Sequence, residues 1–491
     1  MSVLAIDAGT TGVTALVVGH DGSIRSRGYQ EFPQHFPNDG WVEHEPEEIW
    51  QATLTAVRQA IDGSDDAPTA LGITNQRETV VFWDRETLGS ARRAIVWQDR
   101  RTAGICEQLR ADRVEPEVQA ITGLRLDPYF SASKLVWVRH NDAGTWNGIT
   151  TGRVAIGTVD SYLIARLTRG LHHVTDSSNA SRTLLLDLAT GTWSSRMCDL
   201  FEIPVEALPE VVPSWGVIGR TDPATFLGLE LPIAGVAGDQ QAALFGQTCF
   251  TPGDTKCTYG TGSFVLTNTG SRIVASSSGL LSTVAWRAPD GGLTYALEGA
   301  VFVTGAAVQW LRDGLGLLAH AADSEALAAS VPDSGGVVFV PALTGLGAPD
   351  WDPYARGTIL GITRGTTAAH LTRATLEAIT YEVRDVASLI VREAELSLTS
   401  LRVDGGASAN DLLCQLQADQ LQTPVSRPKV VETTALGAAF LAGLGSGVWA
   451  DADELRHTWR LDAAFRPRPI DESGYQRWRR GVERAKGWAD A

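Results

Sequence analysis

The chain has 491 residues, of which 44% are hydrophobic and 20% charged, and its formal net charge at pH 7 is −16. A chain of this length exceeds what one hydrophobic core ordinarily holds, so two large domains are predicted. The excess of acidic residues disfavours nucleic acid as a partner, because phosphate backbones attract clustered lysine and arginine.

Membrane insertion is not expected, since no apolar run approaches the roughly 20 residues that cross a bilayer. Five scattered cysteines without CxxC spacing predict neither a disulfide framework nor a zinc site. The N-terminus lacks the pattern of a signal peptide. Together these features predict a cytoplasmic protein.

Strand-like and helix-like segments alternate along the chain, which is typical of the α/β class. Apolar residues 3–6 and 13–18 flank a loop at residues 7–12 with the sequence DAGTTG, the first glycine loop. We predict a hairpin here, and a phosphate site, because glycine lets backbone N–H groups approach an anion and threonine adds hydroxyl donors. Asp7 is a candidate for holding Mg²⁺ through water, and the alternative is a side chain that only stabilises the turn.

Between this hairpin and residue 247 we predict one helix and two polar strand ends. The helix follows Pro46 and presents Trp50, Leu54, Val57 and Ile61 on one face. Residues 74–79, TNQRET, follow an apolar strand, and Arg77 and Glu78 could form a donor and acceptor pair for polyol hydroxyls. A salt-bridged surface turn is the alternative.

Asp239 stands in the sequence GDQQ, after an apolar strand and before a helical segment. An aspartate at such a junction is a good helix cap, which is one interpretation. The other is a carboxylate that orients an acceptor alcohol and takes its proton during phosphoryl transfer.

The pattern of the first glycine loop recurs in the C-terminal half. A domain boundary is predicted near residues 247–253, giving domains 1–247 and 248–491. Beyond it, a strand leads to the second glycine loop, residues 259–262 (YGTG), and a later strand leads to the third, residues 404–407 (DGGA). Such repetition predicts a phosphate chain held between two domains, although no GxxxxGK[ST] motif is present.

Two further helices are predicted from apolar residues at one-face spacing. Their apolar positions are Val308, Leu311, Leu315 and Leu318 in the first, and Leu376, Ile379, Val383, Val386 and Ile390 in the second. We expect these side chains to pack in a core.

Taken together, these segments resemble the FGGY family of carbohydrate kinases over nearly the whole chain. The most specific stretches are residues 72–79, 127–131, 237–247, 295–302 and 344–349. The resemblance implies two ribonuclease-H-like domains of the actin and hexokinase type flanking a cleft. It implies transfer of a phosphoryl group from Mg-ATP to a small polyol, and residues 75–78 favour glycerol over xylulose or ribulose. It also implies a homo-oligomer, a dimer or tetramer.

The resemblance assigns a role to each candidate residue. Asp239 matches the general base, and Asp7 and Asp239 match metal-associated carboxylates. The positions that match substrate contacts are Arg77, Glu78, Tyr129, Asp239 and Gln240, with Trp97 and Phe264 as apolar walls. The positions that match nucleotide contacts are Thr10, Thr11, Gly12, Thr261, Gly305, Gln309, Gly406 and Asn410.

Two positions depart from the family pattern. Thr14 stands where many members carry an arginine that reaches phosphate, and Ala8 replaces a residue that is often glutamine. This departure implies one phosphate contact fewer, and it leaves the base and polyol positions unchanged.

Two alternative functions stay open at the level of sequence. One is a kinase for another small polyol or a ketose, because a few side chains decide specificity. The other is a non-catalytic actin-like protein that binds nucleotide and assembles, because this architecture serves both purposes. Asp239 and the pair Arg77 and Glu78 favour a kinase, since an assembly protein needs no base for an acceptor hydroxyl.

Overall fold

The computed structural model describes residues 1–489. The strands are β1 (Ser2–Ala8), β2 (Gly12–Gly19), β3 (Ile24–Glu31), β4 (Glu43–His44), β5 (Pro68–Asn75), β6 (Val80–Asp84), β7 (Ser90–Ile95), β8 (Val154–Gly157), β9 (Val174–Asp176), β10 (Leu186–Asp187), β11 (Thr192–Trp193), β12 (Glu210–Val212), β13 (Trp215–Arg220), β14 (Pro232–Gly238), β15 (Thr255–Tyr259), β16 (Ser263–Gly270), β17 (Leu281–Arg287), β18 (Leu293–Val301), β19 (Val338–Val340), β20 (Thr358–Leu360), β21 (Leu401–Asp404), β22 (Val425–Pro428) and β23 (Leu461–Phe465).

The helices are α1 (Pro46–Asp62), α2 (Ala103–Ala111), α3 (Glu115–Thr122), α4 (Ser131–Asn141), α5 (Ala143–Thr150), α6 (Val159–Leu167), α7 (Ser177–Ala180), α8 (Ser195–Phe201), α9 (Asp239–Gly246), α10 (Gly305–Asp313), α11 (Asp323–Ala329), α12 (Ala368–Ala394), α13 (Asp411–Leu421), α14 (Thr433–Ser446), α15 (Ala452–Arg456) and α16 (Ser473–Ala485). Short 3₁₀ helices cover Val205–Ala207 and Gly406–Ala409.

A six-stranded sheet in the N-terminal half has the order β13-β14-β5-β1-β2-β3. Its strand β1 runs antiparallel to β2 and parallel to β5, and β5 runs parallel to β14. Every residue of β2 is buried, as expected for a strand covered on both faces. A four-stranded sheet, β4-β7-β6-β8, extends this half.

A seven-stranded sheet in the C-terminal half has the order β17-β18-β16-β15-β21-β22-β23. Here β15 runs antiparallel to β16 and parallel to β21. Each large sheet therefore contains a hairpin closed by a glycine loop, whose first strand also pairs with a parallel strand. The predicted hairpins at residues 7–12 and 259–262 are confirmed.

Helix α14 joins the two halves. It lies between β22 and β23 of the second sheet in sequence but packs on β1, β5 and β14 of the first, beside α9. Glycine makes this close approach possible, because a Cβ on Gly72 would lie 2.1 Å from the carbonyl oxygen of Ala438. Similarly, a Cβ on Gly437 would lie 1.8 Å from the carbonyl oxygen of Ala242 on α9.

Two of the three predicted helices have the expected extent, and the third is shorter. The helices after Pro46 and around Leu376 are α1 and α12. The prediction that Leu315 and Leu318 continue the helix of Val308 is wrong, because α10 ends at Asp313. Glycines at 314 and 316 follow it, the second with φ +64°, and Leu315 is exposed. Repeated glycine is unfavourable within a helix and ends it here.

None of the helices within residues 1–489 is both long enough and apolar enough to cross a membrane.

Candidate active site

The candidate residues of the N-terminal half lie at one edge of the first sheet. Strands β1, β5 and β14 are parallel neighbours, so their carboxyl ends meet there. Asp7 lies near the end of β1, residues 76–79 follow β5, and Asp239 follows β14. In α/β sheets, ligands typically bind at this edge.

The first glycine loop is held by hydrogen bonds to its neighbours. The amide of Gly9 donates to the carbonyl of Gly12 at 3.0 Å. The side-chain amide of Gln76 donates to the carbonyl of Gly9 at 3.0 Å. The indole N–H of Trp97 donates to the hydroxyl of Thr10 at 2.9 Å. Thr11, at the tip of the loop, is exposed, so the loop is fixed in place and open on its outer side.

Arg77, Glu78 and Thr79 form a tight turn after β5. The amide of Thr79 donates to the carbonyl of Arg77 at 2.7 Å, and Glu78 has φ +63°. This is a γ-turn with its central residue in a conformation that side chains rarely adopt. Ser131 Oγ donates to the carbonyl of Glu78 at 2.9 Å and supports the turn. Strained backbone of this kind is concentrated at functional sites.

Arg77 is buried at the centre of a charged cluster. Its Nε lies 3.0 Å from Asp239 Oδ1, and its Nη1 lies 2.6 Å from Glu298 Oε2. Its Nη2 donates to Tyr129 Oη at 3.4 Å. The side chains of Arg77 and Glu78 are 2% and 1% exposed. The alternative of a salt-bridged surface turn is therefore wrong.

Asp239 has one occupied and one open carboxylate oxygen. Its Oδ1 accepts hydrogen bonds from the Gln240 amide at 2.7 Å and from Arg77 Nε at 3.0 Å. Within residues 1–489, no protein group bonds to its Oδ2, and 28% of the side chain is exposed. Gly238 is the N-cap residue, and Asp239 is the first residue of α9. The geometry leaves Oδ2 able to accept a proton from a bound hydroxyl.

Aromatic side chains from both halves surround this cluster. The rings of Trp97 and Tyr129 meet edge to face with centroids 5.5 Å apart. Phe264, on β16 of the second sheet, lies with its ring centroid 5.8 Å from the guanidinium carbon of Arg77. Burial raises the pKa of Tyr129, so its hydroxyl stays protonated and able to donate.

Gln240 is fixed by a lysine from the second sheet. The ammonium of Lys256 donates to Gln240 Oε1, and to Thr258 Oγ1 at 2.8 Å. Since Oε1 is occupied, the amide nitrogen of Gln240 is the group left to face a ligand, as a donor. Lys256 is fully buried, and burial lowers its pKa while Asp404 opposes that change.

The second glycine loop backs onto the start of α10. The amides of Thr304 and Ala306 donate to the carbonyl of Thr261 at 2.8 and 3.1 Å, and that of Gly305 donates to the carbonyl of Gly260 at 3.0 Å. No side chain fits at Gly305, where a Cβ would lie 2.6 Å from the Gly260 oxygen.

The third glycine loop lies at the same edge of the second sheet, because β15 and β21 are parallel neighbours. Gly406 is exposed, and Gln309 is exposed on α10. Asn410 caps α13, its side chain accepting from the Leu413 amide at 2.9 Å. Each half thus has a glycine-rich sheet edge with exposed residues.

Asp7 is the candidate metal-associated carboxylate. Burial raises the pKa of Asp7 well above its ordinary value, and the charges of Asp239 and Glu432 raise it further. Its side chain has no hydrogen-bond or ion-pair partner within residues 1–489. No group of three or more His, Cys, Asp or Glu side chains in this part of the chain could hold a metal by itself. The arrangement fits Mg²⁺, which takes one or two carboxylates together with water and phosphate.

Sequence reasoning missed three residues of the site, Arg182, Lys256 and Glu298. Lys256 and Glu298 belong to the second sheet and reach residues of the first half. Arg182 contacts Glu78 from 104 positions away in the chain, and Glu298 contacts Arg77 from 221 positions away, so no local pattern indicates these two residues. Thr14, where an arginine is common in the family, lies in β2 and is buried.

Comparisons with known proteins point to carbohydrate kinases. The model of the FGGY family of carbohydrate kinases, N-terminal domain, matches residues 2–246, and that of the C-terminal domain matches residues 255–446. A glycerol kinase from Aromatoleum aromaticum is 52% identical over 100% of this chain and 99% of its own. One from Symbiobacterium thermophilum is 53% identical over 99% of each.

Solved structures extend the likeness. The crystal structure of Plasmodium falciparum glycerol kinase with ADP matches with a TM-score of 0.91 at 34% identity, covering 99% of this chain and 98% of that one. A gluconate kinase from Lactobacillus acidophilus shares the fold, with a TM-score of 0.85 at 22% identity over 99% of this chain and 96% of its own. The expected two-domain α/β fold of the actin and hexokinase type is confirmed.

Proposed function

The chain belongs to the FGGY family of carbohydrate kinases, and from that membership we propose that it phosphorylates glycerol with ATP. The products are sn-glycerol 3-phosphate and ADP. One observation carries the proposal: Asp239 keeps an open carboxylate oxygen directly beside the buried Arg77. An actin-like assembly protein has no use for this arrangement, whereas a kinase needs it to prepare an acceptor hydroxyl.

We propose that the polyol clamp consists of Arg77, Glu78, Tyr129, Asp239 and Gln240. Arg77, Tyr129 and Gln240 supply donors, and Glu78 and Asp239 supply acceptors. Each hydroxyl of glycerol both donates and accepts a hydrogen bond, so a clamp that contains donors and acceptors matches neighbouring hydroxyls. Trp97 and Phe264 form the apolar walls, which suit the carbon chain of glycerol.

The reaction proceeds by attack of a terminal glycerol hydroxyl on the γ-phosphorus of ATP. The oxygen–phosphorus bond forms as the bond from that phosphorus to the β,γ-bridging oxygen breaks, and ADP leaves. The hydroxyl proton passes to Asp239 Oδ2, the oxygen that has no protein partner among the described residues. Arg77 holds Oδ1 at 3.0 Å and so directs Oδ2 toward the acceptor. The protein takes little part in bond making and breaking, so correct positioning of the hydroxyl and the phosphate supplies most of the rate enhancement.

We propose that the nucleotide lies between the domains 1–247 and 248–491. Thr10, Thr11 and Gly12 contact its phosphates from one side and Thr261 from the other. The remaining nucleotide contacts are Gly305, Gln309, Gly406 and Asn410. Asp7 and Asp239 are the carboxylates that would hold Mg²⁺, which neutralises charge on the phosphates when bound. Asp7 is suited to this role because its side chain has no hydrogen-bond or ion-pair partner within residues 1–489.

A Gly406→Ala variant tests the nucleotide site. A Cβ at Gly406 would meet no protein atom within 4 Å, so the folded state should accept alanine without a shift in Tm. A methyl group on the nucleotide face should nevertheless raise the KM for ATP by about tenfold, the equivalent of about 1.4 kcal/mol. The KM for glycerol should stay the same. Steady-state kinetics with each substrate varied separately measures both constants.

Gly104→Ala is the matched control for Gly406→Ala. Gly104 lies on α2, and a Cβ there also meets nothing within 4 Å. It should leave both KM values unchanged. An unchanged KM for ATP in Gly406→Ala would remove this residue from the nucleotide site.

The proposed function is tested by coupled ADP release with glycerol, dihydroxyacetone, erythritol, xylulose and ribulose. Glycerol should give the highest kcat/KM, and identification of the product as sn-glycerol 3-phosphate should accompany it. A preference for another polyol or a ketose would refute glycerol as the substrate but would leave the assignment as a kinase in place. ATP binding without ADP release on any of these would favour the assembly protein.

We further propose that the protein acts in the cytoplasm as a homo-oligomer, a dimer or tetramer. All five cysteines are free and buried, which suits a reducing compartment. Size-exclusion chromatography with light scattering measures the oligomeric state.

A further inference from the structure

Glu298 connects the second sheet to the polyol clamp of the first half. It lies on β18, yet its carboxylate contacts Arg77 at 2.6 and 3.1 Å and Arg182 at 3.0 Å. Arg182 also donates from Nε to Glu78 Oε1 at 2.7 Å. We call Arg77, Glu78, Arg182 and Glu298 the arginine–glutamate cluster.

The cluster balances two positive and two negative charges away from water. The side-chain exposures are 2% for Arg77, 1% for Glu78 and 0% for Arg182 and Glu298. Burial alone would raise the pKa of Glu298, but Arg182 and Arg77 outweigh it and lower the pKa to about 2. The two arginines thus favour the anionic form of Glu298. A buried ion pair that loses one partner leaves an uncompensated charge, which is strongly unfavourable.

Glu298 determines which N–H of Arg77 is free for a ligand. The Nε–H is taken by Asp239, and Nη1 donates to Glu298 and Gln241. One N–H of Nη2 is taken by Glu298, and the other has only the long 3.4 Å contact with Tyr129. That contact is the weakest of the set. A ligand hydroxyl would therefore replace Tyr129 as the partner of this N–H. The two bonds from Arg77 to Glu298 meanwhile fix the plane of the guanidinium.

Arg182 determines which carboxylate oxygen of Glu78 is free for a ligand. Burial raises the pKa of Glu78, and the charges of Arg77 and Arg182 oppose that rise. The bond from Arg182 Nε occupies Oε1 of Glu78, which leaves Oε2 for a ligand. The guanidinium of Arg182 lies 5.7 and 5.4 Å from the ring centroids of Tyr129 and Phe130. These aromatic rings limit how far Arg182 can move.

We propose that Glu298, together with Arg182, is a positioning residue for the polyol clamp. Glycerol binding by the first half then depends on a carboxylate supplied by the second half. The inference rests on the proposed function, since it assumes that glycerol occupies the clamp.

A Glu298→Gln variant is the direct test. Glutamine keeps the size of the side chain but loses its charge, so Arg77 should turn away from its bound orientation. The KM for glycerol should rise by about tenfold or more, since charge-assisted hydrogen bonds are the strong ones. The KM for ATP should change by less than about twofold, and kcat should fall less than the KM for glycerol rises. A glycerol KM within about twofold of wild type would overturn the inference.

The double variant Arg182→Gln with Glu298→Gln guards against a folding failure. It removes one positive and one negative charge, so the cluster stays neutral and no buried charge is left unpaired. We expect ADP affinity by calorimetry to match wild type and the KM for glycerol to stay about tenfold raised or more. Recovery of the wild-type glycerol KM would mean that only charge balance matters, and would overturn the positioning role.

Glu382→Gln is the matched control. Glu382 lies on α12 of the same half, outside the cluster, and burial raises its pKa well above its ordinary value. Glutamine keeps the size of this side chain, which makes no hydrogen bond or ion pair to the cluster within residues 1–489, so the variant should change neither KM. Wild-type protein that released no ADP with glycerol would refute the proposed function instead, which separates the two failures.

Discussion

An Asp239→Asn variant should lose kcat by about 10²–10⁴-fold, the range that a general base contributes. Asparagine has nearly the same shape and still accepts a hydrogen bond through its amide oxygen, so the bond from Arg77 survives. What disappears is the ability to take a proton at Oδ2, the oxygen to which no group within residues 1–489 bonds. The KM for ATP should change little. Quench-flow or steady-state ADP release with saturating glycerol measures kcat.

Asp451→Asn is a suitable control, because Asp451 caps α15 by accepting from the Glu454 amide at 2.9 Å. Asparagine caps a helix as well as aspartate does, so neither stability nor turnover should change. Near-normal kcat in Asp239→Asn would show that another group accepts the proton. The glycerol KM of the variant would then decide whether Asp239 still binds substrate.

The predictable part of the site lies at strand ends. Residues 76–79 and Asp239 each follow an apolar run that ends in polar side chains, and parallel strands place such ends at one edge. Residue type marks Arg77, Glu78 and Asp239 as separate candidates, and the resemblance to the FGGY family predicts that they meet at one substrate site. The distance of 3.0 Å between Arg77 Nε and Asp239 Oδ1 agrees with that prediction.

The unpredictable part is the second layer around those residues. Glu298 lies within a β-strand whose sequence, LTYALEGAV, resembles an ordinary buried strand. Lys256 likewise lies in β15, before the second glycine loop. Their importance arises only when the second sheet is placed against the first half, and that placement depends on helix and glycine packing around α14. The misplaced helix end at Leu315 has a local cause instead, the two glycines beside it.

The two glycine-loop hairpins occupy equivalent positions in the two large sheets. In each half, the first strand of the hairpin pairs with a parallel strand, β5 for β1 and β21 for β15. The strand ends that follow differ in chemistry. Charged residues follow β5, whereas glycines follow β21. A shared topology thus provides a charged edge in one half and a glycine-rich edge in the other, which suits the proposed function.

An Arg77→Lys variant should lose kcat/KM for glycerol by about a hundredfold or more. Lysine keeps the positive charge that Glu78 and Glu298 need, but it cannot reproduce the fork that Arg77 makes with Glu298 at 2.6 and 3.1 Å. Loss of two charge-assisted bonds costs about 3 kcal/mol or more, and each 1.4 kcal/mol is about tenfold. Because Arg77 also holds Asp239 Oδ1, both the KM for glycerol and kcat should change.

Arg196→Lys is the control for Arg77→Lys. Arg196 makes a similar two-bond contact with Glu117, at 2.7 and 2.8 Å, but its side chain is 55% exposed. Exposed ion pairs contribute little to the free energy of unfolding, so this variant should keep wild-type kinetics and stability. If Arg77→Lys also kept the wild-type kcat/KM for glycerol, a simple positive charge at this position would suffice. The fork from Glu298 would then have no part in recognition, and the clamp would depend on Glu78, Tyr129 and Asp239 instead.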